Sequence, residues 1–141
     1  MLSNQVGSFM SVNNVLADSL ARIKNAQSAK MKSVELYYSK LLLDCLFLLK
    51  KEGYISDFYT REIRKGVNRV FVILKYYNNS GVIADIKVFS RPGNRVYRKS
   101  KEIGEHFGKL GVLVLSTSKG VFSGRQASGM KCGGELLFGI Y

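Results

Sequence analysis

The first part of the chain carries apolar residues at intervals of three or four, which is the spacing of one face of an α-helix. In the first such stretch, residues 12–26, the apolar positions are Val12, Leu16, Leu20 and Ile23. The second stretch follows Ser39, whose side chain can cap a helix, and ends at Gly53, which suits a left-handed helix end. Its predicted buried residues are Leu42, Cys45, Leu46 and Leu49. Between the two helices, residues 27–38 predict a basic loop that leads into a short strand.

Beyond Gly53 the pattern changes to short runs rich in β-branched and aromatic residues, which are typical of strands. Three such runs, residues 54–62, 67–77 and 82–89, predict an antiparallel sheet, with turn residues at positions 78–81. Two helices that cover one face of this sheet would form an α+β lobe.

The only proline of the chain, Pro92, lies in a Ser-Arg-Pro-Gly segment that predicts a boundary between two small lobes. We therefore expect an α+β fold with an N-terminal extension (residues 1–11), an N-terminal lobe of helix, strand, helix and strands (residues 12–90), and a mostly β C-terminal lobe with one short helix (residues 91–141). The C-terminal elements are predicted, in order, as a strand, a helix, an apolar strand and a last strand, at residues 95–98, 101–110, 112–115 and 135–141.

Charge narrows the choice of function. The 141 residues include 22 lysines and arginines against 10 aspartates and glutamates, a net charge of +12. Residues 87–131 alone hold ten basic and two acidic residues, a net charge of +8. A field of this strength favours a polyanionic partner, although the same charge could simply keep a surface soluble. Nucleic acid is the better interpretation.

Two further observations argue against other classes of protein. Cys45 and Cys132 have no second cysteine or histidine at metal-ligand spacing, so no metal or other cofactor is predicted and a reducing compartment is expected. The longest apolar run, residues 41–49, is about half the length that a membrane helix needs. We therefore expect no membrane partner.

One catalytic pattern is present. Ser116 and Lys119 satisfy the spacing S-x-x-K, in which a lysine could accept the proton of a serine nucleophile. The companion motifs S-D-N and K-T-G of the penicillin-recognising enzymes do not occur, and the pair follows a predicted strand instead of opening a helix. We expect a protein that is not an enzyme and has no small-molecule substrate, with a small Ser-Lys hydrolase as the alternative.

Residues 116–120 also offer three hydroxyl groups, one cation and one flexible glycine directly after an apolar strand, and this chemistry suits an irregular RNA. The alternative is a turn whose hydroxyl groups bond only its own backbone. Tyr97, between two arginines, could stack on a base or pack on the sheet. Glu135, after two glycines, could fix the loop or accept a hydrogen bond from a base.

Five blocks of the sequence resemble small-subunit ribosomal protein eight, a universal family of rRNA-binding proteins. The strongest are Ser-Arg-Pro-Gly-Asn-Arg-Val-Tyr at residues 90–97 and Gly-Val-Leu-Val-Leu-Ser-Thr-Ser-Lys-Gly at residues 111–120, with weaker blocks at residues 20–26, 51–55 and 133–135. The resemblance covers about residues 12–141. It implies two α+β lobes, binding to the central domain of small-subunit rRNA, and a role in assembly of the subunit.

The resemblance also implies that residues 116–120 form a recognition loop, with Tyr97 and Glu135 beside it. Long cations in loops or at the lobe junction are expected to contact phosphate. The full set of expected RNA-binding residues is Lys30, Lys32, Arg91, Arg95, Tyr97, Ser116, Thr117, Ser118, Lys119, Gly120 and Glu135.

The implied neighbours are other small-subunit ribosomal proteins, numbers five and seventeen. Bacterial members of the family can also bind their own messenger RNA and repress its translation, which is a further alternative. The expected location is the ribosome, in a bacterial cytoplasm or a mitochondrial matrix, because abundant Asn, Tyr, Phe and Lys with a single proline suggest an AT-rich coding sequence of either origin.

Overall fold

The structure is a computed structural model that describes residues 12–91, 93–106 and 111–141. The helices in these ranges are α1 (Val12–Ser28), α2 (Lys40–Lys51), α3 (Ser100–His106) and α4 (Gly124–Gly129). The strands are β1 (Ser33–Tyr37), β2 (Ile55–Arg64), β3 (Val67–Leu74), β4 (Tyr76–Tyr77), β5 (Ser80–Gly81), β6 (Ile86–Val88), β7 (Tyr97–Arg98), β8 (Val112–Thr117), β9 (Gly120–Ser123) and β10 (Gly134–Ile140). Helices and antiparallel sheets together confirm the predicted α+β class.

Helix α2 begins and ends where the sequence predicts. The side chain of Ser39 accepts a hydrogen bond from the backbone N–H of Leu42 at 3.0 Å, and Gly53 has the positive φ, +86°, of a left-handed helix end. The residues predicted to be buried on this helix are at most 1% exposed: Leu42, Cys45, Leu46 and Leu49. Local chemistry at both ends therefore defines this element.

The first sheet has the strand order β1-β3-β2, and each pair is antiparallel. Its inner face carries Val70 and Val72, both fully buried in a core that also includes residues of α1 and α2. Its outer face carries the alternate residues of the same strands, because successive side chains of a strand point to opposite sides.

The second sheet has the order β6-β10-β8-β9, and β7 also pairs with β10. The predicted assignment of residues 82–89 to the first sheet was wrong, because β6 pairs with β10 instead. The predicted turn is present, with φ of 50° at Asn78 and 66° at Asn79, but it closes the small β4–β5 hairpin. The pattern thus identified a strand and a turn without identifying the strand's partner. The lobe boundary at Ser90 stays a prediction.

Two elements of the C-terminal part, β9 and α4, were missed. Ser123 caps α4: its hydroxyl accepts from the Gln126 backbone N–H at 3.2 Å, and the Gln126 side chain accepts from the Ser123 N–H at 3.0 Å. This reciprocal pair is a capping box, so the Ser-x-x-Gln spacing could have revealed the helix. The helix predicted over residues 101–110 is observed as α3, and its predicted end lies outside the described residues.

One core connects the two sheets. Val114, Phe138 and Ile140 of the second sheet are fully buried in the same cluster as the inner faces of α1, α2 and the first sheet. On the other side of the second sheet, a smaller buried cluster consists of Ile103, Leu113, Leu115 and Leu136. The second sheet is therefore packed on both faces over much of its length. Among the described helices, none is both long enough and apolar enough to cross a membrane.

Candidate RNA-binding surface

The register of the second sheet brings three distant segments into one row. Glu135 on β10 lies opposite Tyr97 on β7 and opposite Ser116 on β8. Directly opposed residues of antiparallel strands carry their side chains on the same face. The three predicted site residues are therefore neighbours in space, and we call Tyr97, Glu135 and Ser116 the cross-strand row.

The turn between β8 and β9 continues from this row. Thr117 lies opposite Gly120, so Ser118 and Lys119 form a two-residue turn. The Thr117 hydroxyl accepts from the Lys119 N–H at 3.1 Å and donates to the Gly120 carbonyl oxygen at 2.9 Å. Gly120 has φ of +131°, a conformation that a residue with a Cβ rarely adopts.

The turn was predicted either to bind RNA through its hydroxyl groups or to use them for its own backbone, and its residues differ in this respect. The Thr117 hydroxyl is used by the turn itself, as a self-bonded turn predicts. The hydroxyls of Ser116 and Ser118 make no hydrogen bond to any described residue, and Ser118 and Lys119 are exposed. Two hydroxyls and one ammonium are thus presented to a ligand from a rigid turn.

Glu135 lies against Arg95. The Glu135 carboxylate is 3.7 Å from the Arg95 guanidinium, and the two side chains are 11% and 47% exposed. A nearly buried carboxylate beside a cation orients that cation, which favours the loop-fixing role for Glu135. Tyr97 is 62% exposed, so its ring does not pack into the sheet and can meet a base or a ribose.

Gly133 and Gly134 allow this close arrangement of strands. A Cβ on Gly134 would overlap the carbonyl oxygen of Ser116, and one on Gly133 would lie 2.7 Å from the carbonyl oxygen of Arg98. Real Cβ atoms do not approach backbone oxygens so closely. The glycine pair is therefore what lets β7 and β8 approach the start of β10.

A buried serine holds the loop that leads into β7. Ser90 is 3% exposed, and its hydroxyl accepts from the Val96 N–H at 2.9 Å. Arg91 and Asn94 exchange two backbone hydrogen bonds, at 3.1 and 2.9 Å, which close the loop between them. Arg91 and Arg95 are thus exposed cations on a fixed loop beside the row.

Lys30 and Lys32 lie in another part of the fold, between α1 and β1. The Lys30 ammonium donates to the carbonyl oxygen of Asn79 and lies 6.0 Å from the ring of Tyr76. Lys32 is exposed, and its carbonyl accepts from the N–H of Leu74 at 3.0 Å. The structure therefore does not place these two lysines in the cross-strand row.

The cations of the basic segment, residues 87–131, are exposed wherever they are described. Lys109 lies outside the described residues, and the other nine cations of residues 87–131 are all exposed: Lys87, Arg91, Arg95, Arg98, Lys99, Lys101, Lys119, Arg125 and Lys131. Only Arg95 and Arg98 of these form ion pairs with described residues, with Glu135 and with Glu102. The exposed surface that this segment contributes is therefore strongly positive.

Neither hydrolysis nor metal chemistry fits the described residues. Ser116 lies opposite Val121, and Lys119 lies in the turn, so the pair does not sit on one turn of a helix as S-x-x-K chemistry requires. No group of three His, Cys, Asp or Glu residues suited to a metal ion occurs in the described ranges.

Comparison with known proteins agrees with the earlier resemblance. A family model described as Ribosomal protein S8 matches residues 14–141. The chain is 47% identical over 129 residues to "Small ribosomal subunit protein uS8" of Neorickettsia sennetsu, covering 92% of this chain and 98% of that protein. The proteins of the same name from Legionella pneumophila and Gluconobacter oxydans are 43% and 42% identical, covering 91% and 94% of this chain and 97% and 100% of theirs.

Proposed function

The chain belongs to the ribosomal protein S8 family, and from this premise we propose that it binds small-subunit rRNA through the cross-strand row and the β8–β9 turn. It is a structural protein of the ribosome and not an enzyme, so the Ser-Lys hydrolase alternative is wrong. The proposed target is an irregular stem in the central domain of the rRNA, and the proposed role is to help assemble the subunit.

One observation carries this proposal. The sheet register brings an exposed tyrosine, a buried carboxylate and a partly exposed serine into one row, next to a turn whose Ser118 hydroxyl and Lys119 ammonium face solvent. Such short directional groups on a rigid sheet suit a bulged base or a ribose 2′-OH, which regular duplexes do not present in the same way.

The surrounding cations would act differently. Arg91, Arg95 and Lys119 are long or exposed charged groups that attract phosphate whatever the base sequence. Lys30 and Lys32, outside the row, would contact a further stretch of backbone. We therefore assign positioning to the cations and recognition to Ser116, Ser118 and the ring of Tyr97, with Glu135 holding Arg95 in place.

The proposed location is the small ribosomal subunit, with small-subunit proteins five and seventeen as neighbours. The relatives named above are bacterial, which favours a bacterial cytoplasm over a mitochondrial matrix. Co-sedimentation of the native protein with bacterial or with mitochondrial small subunits distinguishes the two, and a protein found only in the unbound fraction would contradict both.

Four affinities test the recognition claim. Ser118→Ala and Lys32→Ala are each measured on the central-domain stem and on an unrelated duplex at one fixed salt concentration. An unmade hydrogen bond in a buried interface costs about 1 to 3 kcal/mol, and about 1.4 kcal/mol corresponds to a tenfold change in affinity. Ser118→Ala should therefore reduce the ratio of the affinity for the stem to the affinity for the duplex by roughly tenfold. Lys32→Ala should weaken binding to both RNAs and leave the ratio of the two affinities nearly unchanged.

Ser80→Ala is the matched control, since Ser80 is an exposed serine in the β4–β5 hairpin. It should change neither affinity. If Ser118→Ala and Lys32→Ala lower the two affinities in the same proportion, the turn is only another phosphate contact and the recognition claim is wrong.

A further inference from the structure

The hairpin of β2 and β3 carries a concentration of positive charge that the proposed function does not use. Residues 61–69 contain four basic residues and one acidic residue. The basic residues are Arg61, Arg64, Lys65 and Arg69, and all but the half-buried Arg69 are exposed. Arg64 and Lys65 lie at the turn, which Gly66 completes with a φ of +79°.

Two of these arginines are held directly opposite each other. Arg61 on β2 pairs with Arg69 on β3, and like charges in this position destabilise a sheet. Glu35 on β1 offsets one of them, with its carboxylate 3.4 Å from the Arg69 guanidinium. Arg61, Arg64 and Lys65 have no ion pair with any residue that the structure describes. The hairpin therefore presents three cations that have no anionic partner among the described residues.

Aromatic rings fix the position of Arg61. The rings of Tyr59 and Phe71 stack with centroids 5.2 Å apart and an angle of 13° between their planes. The Arg61 guanidinium lies 5.2 Å from the centre of the Phe71 ring and 5.9 Å from that of Tyr59. Such contacts hold a cation without neutralising it, so its hydrogen-bond donors stay free for a ligand.

We propose that this hairpin is a second RNA-binding site, which contacts the phosphate backbone of an RNA segment other than the one at the β8–β9 turn. The proposal rests on the proposed function, because it presumes that the protein lies on rRNA. Guanidinium groups bind phosphate with two parallel hydrogen bonds. Arg61, Arg64 and Lys65, which have no ion pair with a described residue, would be neutralised by phosphate without any requirement for a base sequence.

The charge of the hairpin favours RNA over a protein partner. Protein interfaces are enriched in arginine but depleted of lysine, whereas backbone contacts to nucleic acid use arginine and lysine together, as Arg61, Arg64 and Lys65 would. Ile63 and Tyr59, which are 45% and 41% exposed, are the large hydrophobic residues exposed on the described β2–β3 hairpin, and the ring of Tyr59 is already in contact with Arg61. This is little apolar surface for a protein to bury.

A salt titration with matched variants tests the site. The hairpin variant is Arg64→Gln/Lys65→Gln, and the control is Lys40→Gln/Lys51→Gln, which removes two exposed charges from α2. The probe is a transcript of the complete small-subunit rRNA of Neorickettsia sennetsu. Each lost phosphate contact makes the plot of log affinity against log salt concentration less steep by about 0.7 to 0.9. The slope for the hairpin variant, which removes two cations, should therefore be smaller in magnitude by about 1.5. An equal change of slope in the control would overturn the proposed site, because the effect would then come from the loss of any two positive charges and not from the hairpin.

Lys119→Ala, measured on the same transcript, separates this inference from the proposed function. If the proposed function holds and the hairpin inference fails, Lys119→Ala weakens binding while the hairpin variant binds like the wild type. If the proposed function itself fails, Lys119→Ala leaves the affinity unchanged.

Crosslinking in assembled subunits identifies what lies against the hairpin. A photoreactive phenylalanine derivative placed at Ile63 should give a crosslink to rRNA. A crosslink to a protein, or no crosslink from a variant that enters subunits normally, would overturn the RNA site.

Discussion

The buried hydroxyl of Ser90 donates a hydrogen bond to the carbonyl oxygen of Leu136 across 2.7 Å. The same hydroxyl accepts from Val96, so one serine links the loop of Arg91 and Arg95 to the central strand of the second sheet. The buried Ser90 hydroxyl, which a ligand cannot contact, therefore fixes the position of the loop that carries these cations.

Ser90→Ala should lower the free energy of unfolding by about 1 to 3 kcal/mol, because it leaves the buried Leu136 carbonyl and the partly buried Val96 N–H without this partner. Chemical denaturation measures the change. The exposed Ser80→Ala is the control and should stay close to the wild type. Equal stability of the Ser90 variant would mean that water replaces the hydroxyl and that the loop does not depend on it.

The same substitution at two glycines should have opposite effects. Gly134→Ala should destabilise the protein by about 1 to 3 kcal/mol, because the new methyl group would overlap the Ser116 carbonyl. At Gly129, the last residue of α4, a Cβ would meet nothing within 4 Å, so Gly129→Ala should be neutral or stabilising by up to about 1 kcal/mol. Thermal or denaturant unfolding compares the two, and similar losses in both would show that β10 does not need the close approach.

The two cysteines should differ in reactivity toward a maleimide reagent. Cys132 is partly exposed, whereas Cys45 is fully buried and burial raises the pKa of its thiol. Because the thiolate is the reactive form, the native protein should take up one label, at Cys132, and a second only in denaturant. Mass spectrometry of labelled peptides checks this. Rapid labelling of Cys45 in the native protein would show that α2 opens readily.

Acid should remove a stabilising contact at Asp85. The Lys24 ammonium and the Ile86 N–H both donate to this carboxylate and hold its pKa below the usual range. Since the unfolded carboxyl has a pKa of about 3.9, the stabilisation is complete above that pH and is lost as the pH falls through the lower native pKa. Asp85→Asn should therefore be less stable than the wild type at neutral pH, and the difference should shrink in acid.

Unfolding curves at several pH values give this difference directly. Glu62→Gln, which removes one exposed carboxylate on β2, serves as the control. The difference in the free energy of unfolding between Asp85→Asn and the wild type could also stay constant down to strongly acid pH. In that case the charge of Asp85 would be excluded as its source.

Local signals predicted the elements more successfully than their partners. The cap at Ser39 and the terminus at Gly53 flank the twelve residues of α2, so the sequence sufficed to define this helix. The pairing of β6 with β10 joins residues about fifty positions apart and depends on which faces the helices cover. No alternation of apolar residues contains that information.

The candidate site divides in the same way. The residues of the β8–β9 turn were proposed because their chemistry is local to five positions. Tyr97 and Glu135 were proposed from their immediate neighbours, and the resemblance implied that both lie beside the turn. That Glu135 lies against Arg95 follows only from the tertiary structure, and that Arg61 faces Arg69 follows only from strand register. Neither arrangement could be deduced from spacing along the chain.

The place of β10 in the second sheet has a consequence for synthesis of the protein. A ribosome releases the chain from its N-terminal end, so the first sheet, whose strands end at Leu74, can pair while later residues are still being added. The strands β6, β7 and β8 all pair with β10, which leaves the ribosome after them. Until then these segments have no shared neighbour, and the cross-strand row does not exist. Under the proposed function, the recognition surface therefore forms only once residues 134–140 have emerged. We expect a nascent chain stalled before β10 to retain the first sheet and to bind RNA through charge alone.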